Sequence, residues 1–240
     1  MYRLATQCLY DKNKYPEYRV LKNYHKHLLR DKTVYKITDL GAGSRVFQSP
    51  SRSVSQMAKI AGSSVKDMER LFRLIRYFKP ESILELGTSL GKSTFAMALG
   101  NPEAQIITVE GDENLVNFTK QQFQKSEIQK VKIIHSDFDD YLNQLNQTDK
   151  TFDFVFIDGN HRLEPTLRYF EKLQKHLHND SVIMVDDIYW SEEMQTAWQT
   201  LKTHPNVKQS VDTFYYGLLF FRKEQHPQDF IINLDSLNLF

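Results

Sequence analysis

With 240 residues and 40% apolar composition, the chain is long enough for one large α/β domain with an appendage. A formal net charge of +1 selects no class of partner. The single cysteine, Cys8, excludes an intramolecular disulfide and any cysteine-based zinc site. No charged-then-apolar leader opens the sequence and no apolar run reaches the length of a membrane span, so a soluble, cytoplasmic protein is expected.

In chain order, residues 1–60 hold 12 Lys and Arg against 4 Asp and Glu, so the remainder is net acidic. Residues 17–29 suit a helix, and the basic excess reads first as its solvated face rather than as a nucleic-acid surface. Residues 37–44 (I-T-D-L-G-A-G-S) imitate a strand running into a glycine loop. Residues 48–53 (Q-S-P-S-R-S) then read as loop rather than helix, so Gly41 to Ser44 form a turn. The Ser-rich loop 48–55 is the one plausible boundary. It divides a helical, substrate-side or lid-like extension, 1–60, from a larger domain, 61–240.

Val65, Met68, Leu71, Phe72, Ile75 and Phe78 recur at helical spacing before Pro80. The stretch that organises the chain follows: Ile83, Leu84 and Leu86 as a short buried strand, a tight turn through Gly87 and Gly91, and a helix opened by Ser93 and Thr94. A helix N-terminus over a glycine turn is a nucleotide-type site. Only three residues separate Gly87 from Gly91, one too few for a phosphate loop, and Ser89 occupies the second glycine position of a dinucleotide fingerprint. What remains is acid-x-Gly-x-x-x-Gly, on Glu85, Gly87 and Gly91.

Gln105–Glu110 reads as the next strand, and Glu110 ends it 23 residues after Gly87. A carboxylate there has two oxygens to accept both hydroxyls of a ribose. It is also an ordinary acid before the helix Glu113–Lys125. Residues 131–134 form a third strand, and Asp137 caps a helix over 139–145. Residues 152–158 form a fourth strand, followed by Gly159-Asn160-His161 and a helix from Pro165. Residues 182–187 form a fifth, ending in Asp186 and Asp187; Ser191 caps the helix after it. Tyr189 and Trp190 follow this strand directly. They suit the wall of an acceptor pocket, with packing beneath the next helix as the other outcome for Trp190. Residues 207–211 and 217–222 make an antiparallel hairpin, and 229–240 read as a tail. Five strand–helix alternations require a doubly wound, mostly parallel sheet, here of seven strands with the closing pair.

The motifs E-L-G-T-S-L-G, T-V-E-G-D-E-N, F-I-D-G-N-H and V-D-D-I-Y-W resemble those of class I S-adenosylmethionine (SAM)-dependent methyltransferases. Over about residues 65–222 the chain is similar to methyltransferase family 24 and TylF-like enzymes, and more loosely to catechol O-methyltransferase-like enzymes. The resemblance implies a Rossmann-like fold, SAM as cofactor, and transfer of a methyl group to the hydroxyl of a small-molecule acceptor. It implies that Glu85 holds the methionine moiety, with Gly87 and Gly91 making room and Thr88, Ser89 and Ser93 completing the turn. Glu110 with Gly111 would take the ribose. Asp137 would take the adenine amino group, Phe138 the face of the ring, and Asp158 would also reach the cofactor.

In the catechol-type enzymes a divalent metal is held by an Asp ending the fourth strand and an Asp-Asn pair ending the fifth. Asp158, Asp186 and Asp187 match those places, with Asp187 where the family has Asn, and Mg²⁺ or another divalent cation is the implied ion. The family's catalytic Lys position is His161 here, so His161 and Asp158 are the candidate catalytic pair. No membrane partner is expected, and a homodimer is left open. Two other functions stay in view. One is a nucleic-acid (RNA) methyltransferase, favoured by the basic residues 1–60 but lacking the Asn/Asp-Pro-Pro-aromatic turn. The other is a non-catalytic nucleotide-binding module or dehydrogenase.

Overall fold

The computed structural model describes residues 1–38, 51–60 and 63–234. The Gly41 to Ser44 turn, residues 48–50 of the Ser-rich loop and the end of the C-terminal tail lie outside the described residues. The rest of that loop, expected to be irregular, is instead a short strand over Ser51–Ser53 paired with Val34–Lys36 and the start of a helix at Val54. The chain runs through a short α1 (Tyr2–Leu4) with a π-helical turn (Ala5–Leu9), α2 (Glu17–Arg30), β1 (Val34–Lys36), β2 (Ser51–Ser53), α3 (Val54–Ile60) and α4 (Val65–Phe78). Strands and helices then alternate: β3 (Ser82–Leu86), α5 (Lys92–Gly100), β4 (Gln105–Glu110), α6 (Glu113–Lys125), β5 (Val131–His135), α7 (Phe138–Leu145), β6 (Phe154–Ile157), α8 (Leu163–Leu173), β7 (Val182–Asp186) and α9 (Glu192–Lys202). The sheet closes with β8 (Gln209–Asp212), β9 (Tyr216–Phe220) and β10 (Gln228–Ile231).

The central sheet has the order β10-β8-β9-β7-β6-β3-β4-β5. The pairs from β5 across to β7 are parallel, and β9 is antiparallel to both β7 and β8. The chain moves outward from β3 to β5 and then returns to β6 on the other side of β3. The crevice between β3 and β6, at their carboxyl ends, is therefore the switch point where such sheets place ligands. Among the described residues the sheet has eight strands rather than seven. The addition is β10, parallel to β8, inside the segment that reads as a tail in the sequence.

The apolar runs of the inner strands divide between two cores because successive side chains point to opposite faces. Ile83, Ile106, Phe154, Phe156, Val182 and Met184 face one side with α4, α5 and α6. Leu84, Leu86, Val109, Val155, Ile157, Ile183 and Val185 face the other, with α7, α8 and α9. Residues of the N-terminal extension enter the first core: Leu4, Cys8, Leu21, Tyr24 and Leu28 are buried in it. Tyr24 stacks on Phe95 at 4.2 Å and its hydroxyl donates to the Leu90 carbonyl at 2.7 Å, which fixes α2 against the glycine turn. α4 opens with a capping box, Ser64 and Asp67 exchanging side-chain-to-backbone hydrogen bonds. Its C-cap, Lys79, takes a left-handed conformation just before Pro80.

Candidate active site

The turn after β3 has φ of +114° at Gly87 and +72° at Gly91. Both glycines are required by the chain itself. A Cβ on Gly87 would fall 1.9 Å from the Asp158 carbonyl oxygen, and one on Gly91 would fall 2.6 Å from Thr119 Cγ2 and against the Phe123 ring. Gly87 thus lets β3 and β6 end side by side, and Gly91 lets α6 close on the turn. Beneath it Glu85 is fully buried. Its Oε2 accepts from the Thr94 hydroxyl and, at 2.6 Å, from Thr108, which in turn shares a 2.5 Å hydrogen bond with Thr88. The other oxygen, Oε1, is buried with no hydrogen-bond partner. Burial pushes the Glu85 carboxyl up to about 7, against the pull of the surrounding hydroxyls.

A cleft opens above the turn. Gly87 and Ser89 form its floor; Glu110, Gly111 and Leu115 one wall; and Asp137, Phe138, Asp158, Gly159, Asn160 and Tyr169 the other. Ile37, Thr38 and Arg52 approach from the N-terminal extension. Glu110 accepts one backbone N–H on each oxygen, from Ser89 at 2.8 Å and Asp112 at 2.9 Å, and burial raises its pKa. Each oxygen keeps a lone pair for another donor. Asp137 caps α7 through the Asp139 and Asp140 amides, so capping and lining the cleft coexist in one residue. Phe138 meets the edge of Tyr169 at 5.7 Å, and the Tyr169 hydroxyl accepts from the Asn160 amide at 2.9 Å.

A second cavity lies on the far side of Asp158, which lines both. His161, Asp186, Asp187 and Asp67 surround it, with Phe156, Met184, Trp190 and Tyr215 among its walls. His161 Nε2 stands 3.8 Å from Asp158 Oδ1. Burial, then the charges of Asp187 and Glu85, push Asp158 up to about 8, while a hydrogen bond with Asp186 and the nearby Lys92 oppose the rise. Burial and the Asp158 charge raise Asp186 well above the usual carboxylate range, and burial also raises Asp187. Burial lowers His161, which keeps its imidazole neutral at pH 7. Lys92 itself is buried, donates to the Ala58 carbonyl at 3.3 Å, and is brought down to about 8 by desolvation.

Residues 84–188 match a protein family described as a methyltransferase domain, family 24. This segment is a methyltransferase domain of class I fold. The chain superposes on the S-adenosylhomocysteine-bound methyltransferase PaMTH1 of Podospora anserina with a TM-score of 0.65, at 17% identity over 92% of this chain and 94% of that one. An O-methyltransferase of Bacillus cereus in complex with S-adenosylhomocysteine gives 0.60, at 17% identity over 91% and 95%. The O-methyltransferase TomG of Streptomyces achromogenes, involved in tomaymycin synthesis and solved with SAM, gives 0.60, at 17% over 92% and 94%. At these identities the likeness is one of fold.

Within the methyltransferase domain, Gly87, Ser89, Glu110, Gly111, Asp137, Phe138 and Asp158 come together around one cleft. Glu85, Thr88 and Ser93 are buried in its foundation and do not line it. Asp158, Asp186, Asp187 and His161 line the second cavity together. Among the described residues, however, no group of three or more His, Cys, Asp or Glu is placed to hold a metal ion. Asp186 is engaged with Asp158, and Asp187 leaves the strand with φ of +52°. The expected aromatic pair also separates: Trp190 lines the cavity, whereas Tyr189 stacks on Phe214 and donates to Asp212 at 2.8 Å. Asp67, Lys92, Asn160 and Tyr169 escaped the sequence reading. Lys92 carried the clearest signal, a cation just after a glycine turn in an otherwise small, apolar helix. Tyr169 carried none, because it reads as core spacing.

Proposed function

We propose that this chain is a SAM-dependent methyltransferase that methylates a hydroxyl of a small-molecule acceptor. The observation that carries the reading is Asp158, shared by a cleft of nucleotide-site shape and a cavity holding an imidazole and carboxylates. The cleft residues fit SAM. Glu110 has lone pairs left for two ribose hydroxyls, the acidic side chains that line the cleft suit a cofactor with a sulfonium and an ammonium group, whose charge would favour ionising the Asp158 carboxyl, and the unpartnered Glu85 Oε1 lies beneath. When bound, SAM supplies an electrophilic methyl group.

In this reading Gly87, Thr88, Ser89, Gly91 and Ser93 shape the methionine end, with Glu85 supporting them from below. Glu110 and Gly111 take the ribose, and Asp137 with Phe138 the adenine. Asp158 separates cofactor from acceptor. His161, neutral at pH 7, takes the acceptor's hydroxyl proton as the oxygen attacks, and the Asp187 carboxylate stabilises the imidazolium that forms. Lining residues hold the acceptor oxygen in line with the methyl group, where orientation accounts for much of the rate. Asp158, Asp186 and Asp187 are the carboxylates nearest to a cation site, but as placed they do not form one, so the proposed reaction assigns no step to a metal. The proton itself moves between side chains, from the acceptor to His161. The N-terminal extension completes the site, with Ile37 and Thr38 at the cleft and Ile60 at the cavity. Among the described residues no helix is long and apolar enough to cross a membrane.

Calorimetry with SAM, S-adenosylhomocysteine and NAD tests the cofactor reading. The two adenosyl ligands are expected to bind at micromolar affinity, on the order of −8 kcal/mol, and NAD is not. Transfer of labelled methyl from SAM to extract fractions then identifies the acceptor. Absence of SAM binding overturns the reading.

A further inference from the structure

We infer that Tyr169 is a cofactor-specificity residue, its hydroxyl donating to an adenine ring nitrogen beside the amino group. The inference rests on the SAM reading above and deepens it at the adenine end. Tyr169 lines the cleft although only 2% of it is exposed. Its oxygen accepts from the Asn160 side-chain amide at 2.9 Å, and its own proton has no acceptor among the described residues. A phenol both donates and accepts, so the bond from Asn160 leaves the donor for a ligand. Burial raises the Tyr169 pKa, which keeps that proton in place at neutral pH. Asp137 also lines the cleft, close enough for its charge to act on the phenol. In the proposed function its carboxylate accepts from the adenine amino group. That amino group is flanked by the ring nitrogens N1 and N7, which only accept. A donor beside an acceptor in the cleft therefore meets an acceptor beside a donor on the base. A 6-oxo purine puts an oxygen where the amino group stands and faces the Asp137 carboxylate with a second acceptor.

The phenol is held in place by its neighbours. Tyr169 and Phe138 pack edge to face at 5.7 Å. Phe138 covers the adenine face in the same reading, and it lies so close over Gly159 that a Cβ there would fall 2.7 Å from its ring. α8, which carries Tyr169, is tied to α7 two residues beyond Asp137. Arg168 grips the Asp139 carboxylate through Nε at 2.8 Å and Nη2 at 2.7 Å, and Lys172 donates to the same carboxylate at 2.6 Å. The Arg168 guanidinium also lies over the Tyr169 ring, 5.6 Å from its centre. Asn160 belongs to the turn that leaves β6 through Asp158, so the donor to the phenol oxygen comes from a third segment. Tyr169 is thus fixed beside Asp137 and Phe138, the two residues assigned to the adenine.

The test compares three ligands by calorimetry: S-adenosylhomocysteine and its 1-deaza and 7-deaza forms, in each of which C–H replaces one ring nitrogen beside the amino group. Wild type and Tyr169→Phe are titrated with all three, and ligand-free thermal unfolding is recorded for both. Tyr169→Phe keeps the ring and its contacts with Phe138 and Arg168. Wild type is expected to bind one of the deaza forms about threefold to tenfold more weakly than S-adenosylhomocysteine, the size of a neutral hydrogen bond. Tyr169→Phe should bind S-adenosylhomocysteine more weakly by a similar factor and lose the preference over that deaza form. Comparing ligands within one protein cancels any general loss from the substitution. A preference that survives in Tyr169→Phe, or a wild type that binds all three alike, overturns the inference and leaves the SAM reading standing. If wild type does not bind S-adenosylhomocysteine, the SAM reading itself falls and this inference with it.

Discussion

The backbone carbonyl of Asp158 occupies the space where any side chain on Gly87 would begin, 1.9 Å from the position of a Cβ. The Asp158 amide donates to the Leu86 carbonyl at 2.9 Å, and the Gly87 amide to the Val109 carbonyl at 3.0 Å. Three strand ends are therefore stitched together at the residue that both cavities share. Gly87→Ala combines a φ of +114° with a backbone clash and is expected to cost roughly 3 kcal/mol or more of stability. Urea unfolding measures it. A loss below about 1 kcal/mol would mean that β3 and β6 separate without consequence.

Glu110→Ala removes the acceptor from two backbone amides and, in the proposed function, from the ribose. SAM affinity should fall by roughly 1–3 kcal/mol, with the lost amide bonds adding a stability cost of similar size. Calorimetry and unfolding read the two effects separately, and Glu110→Gln should recover more stability than affinity.

His161→Asn removes the proposed base while keeping a polar side chain. Turnover should drop by roughly 10²–10⁴ with little change in SAM affinity. Because burial lowers the His161 pKa, the acid limb of the wild-type profile should lie below the ordinary histidine range. That limb should vanish in the variant. An unchanged profile would transfer the proton to another group.

Glu85 and Asp158, with Glu110, Asp186 and Asp187 raised in the same direction, shape the pH response of the ligand-free fold. Burial raises the first two above the usual carboxylate range, to about 7 and about 8, so between pH 5 and 8 the native state holds protons that the unfolded chain has released. Their contribution is complete below about pH 4 and is lost as pH rises through the native values, at up to about 1.4 kcal/mol per pH unit for each proton. The unfolding temperature should fall from pH 5 to 8, and Glu85→Gln should flatten the slope. A rise over that window would show that these carboxylates are ionised in the native state.

Trp190 and Tyr189 adjoin in sequence and divide in role. Trp190→Ala should raise the KM for acceptor, since Trp190 lines the cavity beside Asp187. Tyr189→Ala should leave that KM alone and cost about 1 kcal/mol of stability through the lost bond to Asp212. Matching effects on KM would place both rings at the acceptor.

The succession of strands and helices from Val65 onward was legible in the sequence because period and punctuation are local. Burial on both faces made continuous apolar strands, Asp112, Asp137 and Ser191 capped helices as such residues do, and Gly87 and Gly91 marked the turn. Parallel strands end in one place, so Glu110, Asp137, Asp158 and Asp186 could be assigned to one edge of the sheet from their positions alone. Which of them face open space could not be assigned, because that depends on contacts between segments distant in the chain. Glu85 ends up sealed beneath Thr94 and Thr108, and Gly87 is required by a carbonyl 71 residues away rather than by a ligand. β10 was hidden for the same reason: a four-residue edge strand that sets only Phe230 against the core carries too short an apolar pattern, and only pairing with β8 reveals it. The division of one acidic edge into a cofactor cleft and an acceptor cavity was likewise decided in three dimensions, by Asp158 standing between them and by an N-terminal extension that packs over both.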